Sequence, residues 1–302
     1  MKWGVALNVR NKVPETLRKA EAADKGAIDQ IWVTDFPTVR YAPAIAAAIA
    51  EKTKKCRIGV GLISPLLYSA THISQFMSTL IDSYGDRFDL LIGPGDRSAL
   101  ARVGISYSVR QMVEHTANDL VRVKAALSEG GYDCSVLLGA QGPMMIKTSL
   151  RADGVLLNFS DIEMLQWALN QMDHVPANFT LGVFPPTYIG SCEDPINNQG
   201  ISLSAAMVAL GLNSKTSEIF GLRNKIETAR RILKKKGRID MEVASSMGRE
   251  VLKRFSLCIA SDQLGEYLKT IEGMGISSVV FGPPQGIRKN GVDILVEAKL
   301  HT

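Results

Sequence analysis

The chain has 302 residues, 46% of them hydrophobic and 22% charged, with a formal net charge of +5 at neutral pH. That balance is ordinary for a soluble globular protein, and the length allows one large α/β domain or two smaller ones. The small positive excess is compatible with an acidic small molecule. No aromatic-interleaved basic stripe accompanies it and no apolar run reaches a membrane span, so neither nucleic acid nor membrane is an expected partner. The N-terminal MKWGVALNV has no secretory pattern, which makes a cytoplasmic protein the expectation.

The first expected strand is Lys2 to Asn8. Val13-Pro14-Glu15 opens a helix carrying Leu17, Ala20, Ala23 and Ala27 at helical spacing. Strands follow at Gln30 to Thr34, Arg57 to Ile63 and Phe88 to Ile92, separated by an alanine-rich helix over Tyr41 to Lys52 and an amphipathic one over His72 to Tyr84. A long helix over Val109 to Leu127 leads to a strand at Ser135 to Leu138, then to Gly139-Ala140-Gln141-Gly142-Pro143 and a short helix over Met144 to Arg151. The sixth strand is Gly154 to Leu157. A helix over Asp161 to Met172 precedes the seventh, Phe179 to Phe184. The alternation then stops. Residues 201–254 read as helical throughout, with the cationic run Lys234-Lys235-Lys236 closing one helix at Gly237. Phe255 to Ile259 is a short apolar run. Ser261-Asp262 suggests an N-cap pair for a helix through Met274, and Ser278 to Phe281 is the eighth strand.

Eight strands alternating with helices predict a parallel sheet with right-handed crossovers, and in this length a (β/α)8 TIM barrel fits better than a doubly wound sheet, the alternative. The expected organisation is a single domain over 1–302, with 185–254 a mostly helical insertion. The four cysteines, Cys56, Cys134, Cys192 and Cys258, form no C-x-x-C pair and read as free thiols. The four histidines show no metal-ligand spacing, so no metal site is expected.

A barrel of this kind works at its C-terminal strand ends. Here those ends are Asn8, Asp35, Ser64-Pro65, Gly93 to Asp96, Gly139 to Gly142, Asn158, Pro185 to Tyr188 and Gly282 to Pro284. The set is rich in glycine and proline and has only two carboxylates, which suits the cradling of a large cofactor that carries the chemistry itself. In FDLLIGPGD, at 88–96, the glycines Gly93 and Gly95 let backbone approach a ligand and Pro94 ends the ladder, leaving Asp96 past the strand end. Asp35 and Asp96 could instead cap the helices that follow them. Gly139 to Gly142 could be a plain tight turn or, at a helix N-terminus, a phosphate seat. No Walker or G-x-G-x-x-G pattern stands here.

Several stretches resemble one family. VTDF at 33–36, RIGVGLISP at 57–65, LIGPGDRSAL at 91–100, LGAQGPMMI at 138–146, ADGVLLN at 152–158 and FSLCIASDQL through GISSVVFGPPQG at 255–286 resemble the luciferase-like superfamily. Within it they are most similar to the coenzyme F420-dependent methylenetetrahydromethanopterin reductases of methanogenic archaea. The resemblance implies a TIM barrel with a helical insertion after the seventh strand, and hydride transfer between F420 and a pterin-bound one-carbon unit. It implies that Asp35 faces the deazaflavin and that Gly61 and Leu62 form a bulge with a non-prolyl cis peptide behind the ring. Gly93, Pro94 and Gly95 would lie along the cofactor, Gly139, Ala140, Gln141 and Gly142 would meet its tail phosphate, and Asp96 would act near the ring or the pterin. A homo-oligomer is implied in the same way. The chain departs from the family's pattern at Ala6 (glutamate), Phe36 (histidine) and Met144 (lysine). An FMN-dependent monooxygenase of the same superfamily and a non-catalytic relative are the alternatives.

Overall fold

The computed structural model describes residues 1–8, 11–37, 39–190 and 195–301. Eight parallel strands close into a barrel: β1 (Lys2–Asn8), β2 (Gln30–Thr34), β3 (Arg57–Ile63), β4 (Phe88–Ile92), β5 (Ser135–Ala140), β6 (Gly154–Leu157), β7 (Thr180–Val183) and β10 (Ser278–Phe281), in the order β1-β10-β7-β6-β5-β4-β3-β2. The expected barrel is the observed one. Six strands have the bounds read from the sequence, because short β-branched and leucine runs between glycines have few other ways to be buried. The fifth strand runs on through Ala140, and the seventh is trimmed at both ends.

An outer layer of helices covers the strands: α1 (Val13–Lys25), α2 (Ala42–Lys52), α3 (Ala70–Tyr84), the short α4 (Arg97–Arg102), α5 (Val109–Glu129), α6 (Pro143–Ser149) and α7 (Ile162–Leu169). Their starts are chemically marked. Ser69 accepts from the His72 N–H, so α3 begins two residues before the expected His72. Ser108 and Gln111 make a full capping box at α5, and Asp161 accepts from the Met164 N–H at α7. Between β7 and β10 lie β8 (Thr187–Ile189), a 3₁₀ turn at Pro195–Asn197, α8 (Gln199–Gly211), α9 (Ser214–Ile219), α10 (Arg223–Lys236), α11 (Met241–Arg254), β9 (Leu257–Ile259) and α12 (Leu264–Gly273), with α13 (Gly291–Leu300) after β10. β8 and β9 pair as a separate parallel ribbon that the sequence did not suggest. Ser261 and Asp262 do not cap α12: they sit in a 3₁₀ turn, and no side chain caps either the turn or the helix. α10 does end at Gly237 in the left-handed region, φ 69°.

Two apolar layers result. The larger lies between strands and helices. The smaller fills the lumen with Ala6, Trp32, Leu91, Leu137, Leu156 and Val280, with Leu62 and Phe184 packed on it. Trp32 dominates the lumen because its neighbours have no side chain: a Cβ on Gly59 would stand 2.2 Å from the indole, and one on Gly4 3.1 Å. Below it, at the N-terminal end, the lumen turns polar. Asp89 takes the Arg57 Nη2 at 2.8 Å and Nε at 3.0 Å, and Gln30 Nε2 donates to it at 3.4 Å. Burial pushes the nearby Cys134 thiol up to about 12. This is the stabilising end of the barrel, not the working end.

Cys56 and Cys134 are free, as expected. Cys258 is disulfide-bonded, which corrects the reading of it as a free thiol. The expectation for Cys192 lies outside the described residues, as does the side chain of Asn8. No described helix is long and apolar enough to cross a membrane.

Candidate active site at the C-terminal mouth

The site is built on a break in β3. The ladder to β4 runs in register from Ile58 to Gly61 and then skips, so that Ile63 pairs with Ile92 and Leu62 is left over. The Gly61–Leu62 peptide is cis and Gly61 has φ 150°. The bulge and its cis bond are thus where the resemblance implies. Only glycine fits there, since a Cβ on Gly61 would lie 2.4 Å from the Leu91 carbonyl oxygen.

The displaced Leu62 side chain lies across the top of the lumen. A Cβ on Gly93 would be 2.3 Å from its Cδ1, and one on Gly139 2.7 Å. The space that Gly93 and Gly139 leave is therefore taken by Leu62. At Gly93 and Gly139 the absence of a side chain makes room for a leucine from the neighbouring strand. Gly95 has φ 80° and turns the chain beneath Ser64, whose hydroxyl donates to the Pro94 carbonyl at 2.9 Å.

Asp35 stands one residue past β2. Its Oδ1 accepts from the Ala42 N–H at 3.4 Å, at the start of α2, and its Oδ2 accepts from the Tyr68 hydroxyl at 3.3 Å. Helix anchoring and a place at the mouth are thus combined in one side chain. Burial pushes the Asp35 carboxyl above its ordinary range, against these two hydrogen bonds. Burial and the neighbouring carboxylate raise the Tyr68 hydroxyl as well. Tyr41 leans on Tyr68, ring centroids 5.8 Å apart, and makes an edge contact with Phe76 at 6.4 Å. Asp96 is exposed and caps α4, accepting from the Ala99 N–H at 2.7 Å.

The turn after β5 is shorter than expected. Gly139 and Ala140 belong to β5, and Ala140 packs into the helix-side core. Only Gln141 and Gly142 form the turn, and both meet the helices that follow β8. Gln141 Nε2 donates to the Val208 carbonyl at 2.9 Å, and a Cβ on Gly142 would be 3.0 Å from Asn213 Nδ2.

Two polar residues complete the mouth. Thr34 ends β2 and Asn158 follows β6; each stands on the same strand face as a lumen residue, Trp32 and Leu156 respectively. Among the described residues, the buried side-chain atoms Thr34 Oγ1 and Asn158 Oδ1 have no hydrogen-bond partner. Asn158 was legible as a strand end. Thr34 and Tyr68 were not singled out, although counting by twos from Trp32 points Thr34 into the mouth.

An apolar floor ringed by unsatisfied polar atoms fits a planar heterocycle with polar edges. The family model of luciferase-like monooxygenases matches residues 1–118. The chain resembles the luciferase-like superfamily. A 5,10-methylenetetrahydromethanopterin reductase of Archaeoglobus fulgidus is 25% identical, over 95% of this chain and 94% of its own. Among solved structures, the coenzyme F420-dependent tetrahydromethanopterin reductase from Methanopyrus kandleri has a TM-score of 0.78 at 18% identity, covering 98% of this chain and 97% of that one. The oxygenating constituent of 3,6-diketocamphane monooxygenase from Pseudomonas putida, in complex with FMN, has a TM-score of 0.59 at 12% identity, covering 99% and 96%. The fold is the luciferase-like (β/α)8 barrel, and the resemblance read from the motifs extends along nearly the whole chain.

Proposed function

We propose that the chain is an oxidoreductase that uses coenzyme F420 to transfer a hydride to or from a pterin-bound one-carbon unit, as a 5,10-methylenetetrahydromethanopterin reductase does. The observation that carries this reading is the floor at the mouth: Leu62, seated between Gly93 and Gly139, with buried polar atoms on the ends of β2 and β6 that have no partner among the described residues. The likeness to reductases over almost the full length of both chains supports a deazaflavin as that ring.

The deazaflavin supplies the hydride when bound. The chain's own residues do the rest. Leu62, with Phe184 packed on the same cluster, offers an apolar face and keeps water from beneath the ring. Asp35 and Tyr68 hold one proton between a carboxylate oxygen and a phenol oxygen at the edge of the mouth. Pro94 and Gly95 form the rim between β4 and α4, where the exposed Asp96 stands nearest the entering substrate in this reading. Gly142, beside Asn213, is the part of the β5 turn left to meet a tail phosphate. At the level of Ala6 the lumen offers no acid or base: where the resembled reductases carry a glutamate, Ala6 is fully buried against the apolar lumen cluster. A cytoplasmic homo-oligomer of archaeal origin belongs to the same proposal.

The test is titration of the purified protein with F420 and, separately, with FMN. Tight binding of F420, followed by F420-dependent reduction of methylenetetrahydromethanopterin, is the expected result. Binding of FMN alone would favour the monooxygenase reading, for which the family model and the FMN-bearing neighbour speak. Binding of neither would favour a non-catalytic relative.

A further inference from the structure

The two unsatisfied atoms at the mouth are not equivalent to a generic polar rim. Asn158 Oδ1 is an acceptor, so it can be satisfied only by a donor. A phosphate or carboxylate would face it oxygen to oxygen. Thr34 Oγ1 can donate or accept. In the closed strand order β2 and β6 are four strands apart in either direction, so the two groups oppose each other across the mouth. Leu62 packs on the lumen cluster that includes Trp32, and Phe184 stands 6.5 Å from the indole, centroid to centroid. A ligand satisfying both must be flat, apolar on its faces, and carry an N–H at one edge.

We infer that Thr34 and Asn158 form a recognition pair for the lactam edge of a fused pyrimidine ring. The carboxamide oxygen of Asn158 accepts the ring N–H, its Nδ2 donates to the adjacent ring carbonyl, and the Thr34 hydroxyl donates to a carbonyl on the opposite side. This inference deepens the reading above by naming the residues that read the heterocycle. The same N–H beside C=O edge occurs in deazaflavins, in flavins and in pterins. The pair therefore discriminates against pure hydrocarbons before it discriminates among these rings. It also gives this chain, which lacks polar groups at Ala6 and Phe36, a different pair of polar contacts with its ligand.

The test uses the full chain with Thr34→Val, Asn158→Leu and, should the leucine not fold, Asn158→Ala. Dissociation constants are measured separately for F420, FMN and tetrahydromethanopterin, beside the melting temperature of the unliganded protein. Each substitution removes a buried polar atom that has no partner, so the unliganded protein is expected to melt at or above the wild-type temperature. Ligand binding is expected to weaken about tenfold to a hundredfold, since the ring's own polar group is then left buried and unpaired. Weakening for F420 or FMN assigns the edge to the cofactor, and weakening for tetrahydromethanopterin alone assigns it to the substrate. Unchanged constants for every ligand the wild type binds would overturn the pair while leaving the F420 reading intact. If the wild type binds FMN and not F420, and Asn158→Leu weakens FMN, the F420 reading fails and the pair stands. A marked fall in the unliganded melting temperature would mean that these side chains are already satisfied within the protein, and would also overturn the pair.

Discussion

Two aspartates show how the fold sets the same carboxyl to opposite ends. Asp24, at the end of α1, is pushed up by burial, but it accepts backbone N–H groups from Lys54 at 3.1 Å, Lys55 at 2.8 Å and Cys56 at 2.7 Å, and these leave its pKa below the ordinary value. Asp35 is also desolvated, has one backbone and one phenol donor at longer range, and ends above it. The consequences for stability have opposite signs. The native state holds Asp24 ionised where the unfolded chain would begin to protonate it, so its contribution is complete above the unfolded value near 3.8 and is lost as the pH falls through the lower native value. The native state holds a proton on Asp35 where the unfolded chain has lost it, so Asp35 becomes a burden as the pH rises from 3.8 through the higher native value. Asp35→Asn is therefore expected to raise the melting temperature at neutral pH, with the gain vanishing in acid. Asp24→Asn is expected to lower it at neutral pH by about 1–3 kcal/mol of stability, with the loss shrinking in acid. Thermal melts of both variants from neutral to acid pH check the two signs. Asp35→Asn is also expected to weaken F420 binding; a folded Asp35→Asn that binds F420 with wild-type affinity would remove Asp35 from the site.

At the scale of elements, the barrel was plain in the sequence and the use of its glycines was not. Strands such as QIWVT and FDLLI are short, apolar and flanked by turn residues, so their place needs no partner to be read. What fills the space above a glycine depends on a side chain from another strand. Gly59 answers to Trp32 on β2, and Gly93, just past β4, and Gly139, on β5, answer to Leu62 on β3. No local pattern carries that information, which is why the glycines suggested a ligand's backbone contacts rather than a leucine floor. Gly59→Ala is expected to destabilise the fold by about 1–3 kcal/mol in denaturant melts, because the indole has no free space to retreat into. Gly93→Ala is expected to do its damage through Leu62, tilting the floor and weakening ligand binding. The double substitution Leu62→Ala/Gly93→Ala removes that clash, so its stability is expected to exceed the sum of the two single effects. Additive losses in the double-mutant cycle would show that Gly93 is needed for something other than Leu62.

Across the whole molecule, the helices after β8 are bound to one another and to the barrel by the polar groups that helix ends leave over. The last carbonyls of α8 have no intrahelical donors. Val208 takes the Gln141 amide from the β5 turn, and Leu210 and Leu212 take the Arg230 guanidinium, at 2.9 Å for Leu210. Arg254, at the end of α11, reaches Asp161 at 3.1 Å and Glu163 at 2.8 Å at the start of α7. The helical character of 201–254 was legible from its pattern and its glycine stop. These ties were not, since each joins residues 18 or more positions apart, and neither was the β8–β9 ribbon, whose strands have only three residues each. The tie at Gln141 matters most for the site, because it fixes the turn proposed to meet the cofactor tail. Gln141→Ala deletes one hydrogen bond, a loss of about 1 kcal/mol. The cost should fall locally, because the barrel strands keep all their ladders. Amide exchange at the end of α8 and the start of α9 is expected to quicken about fivefold while the strand amides keep their wild-type rates. F420 affinity should drop with it if the turn holds the tail. Equal quickening throughout the chain would instead make Gln141 part of the barrel's global stability, and the helices after β8 no separate unit of motion.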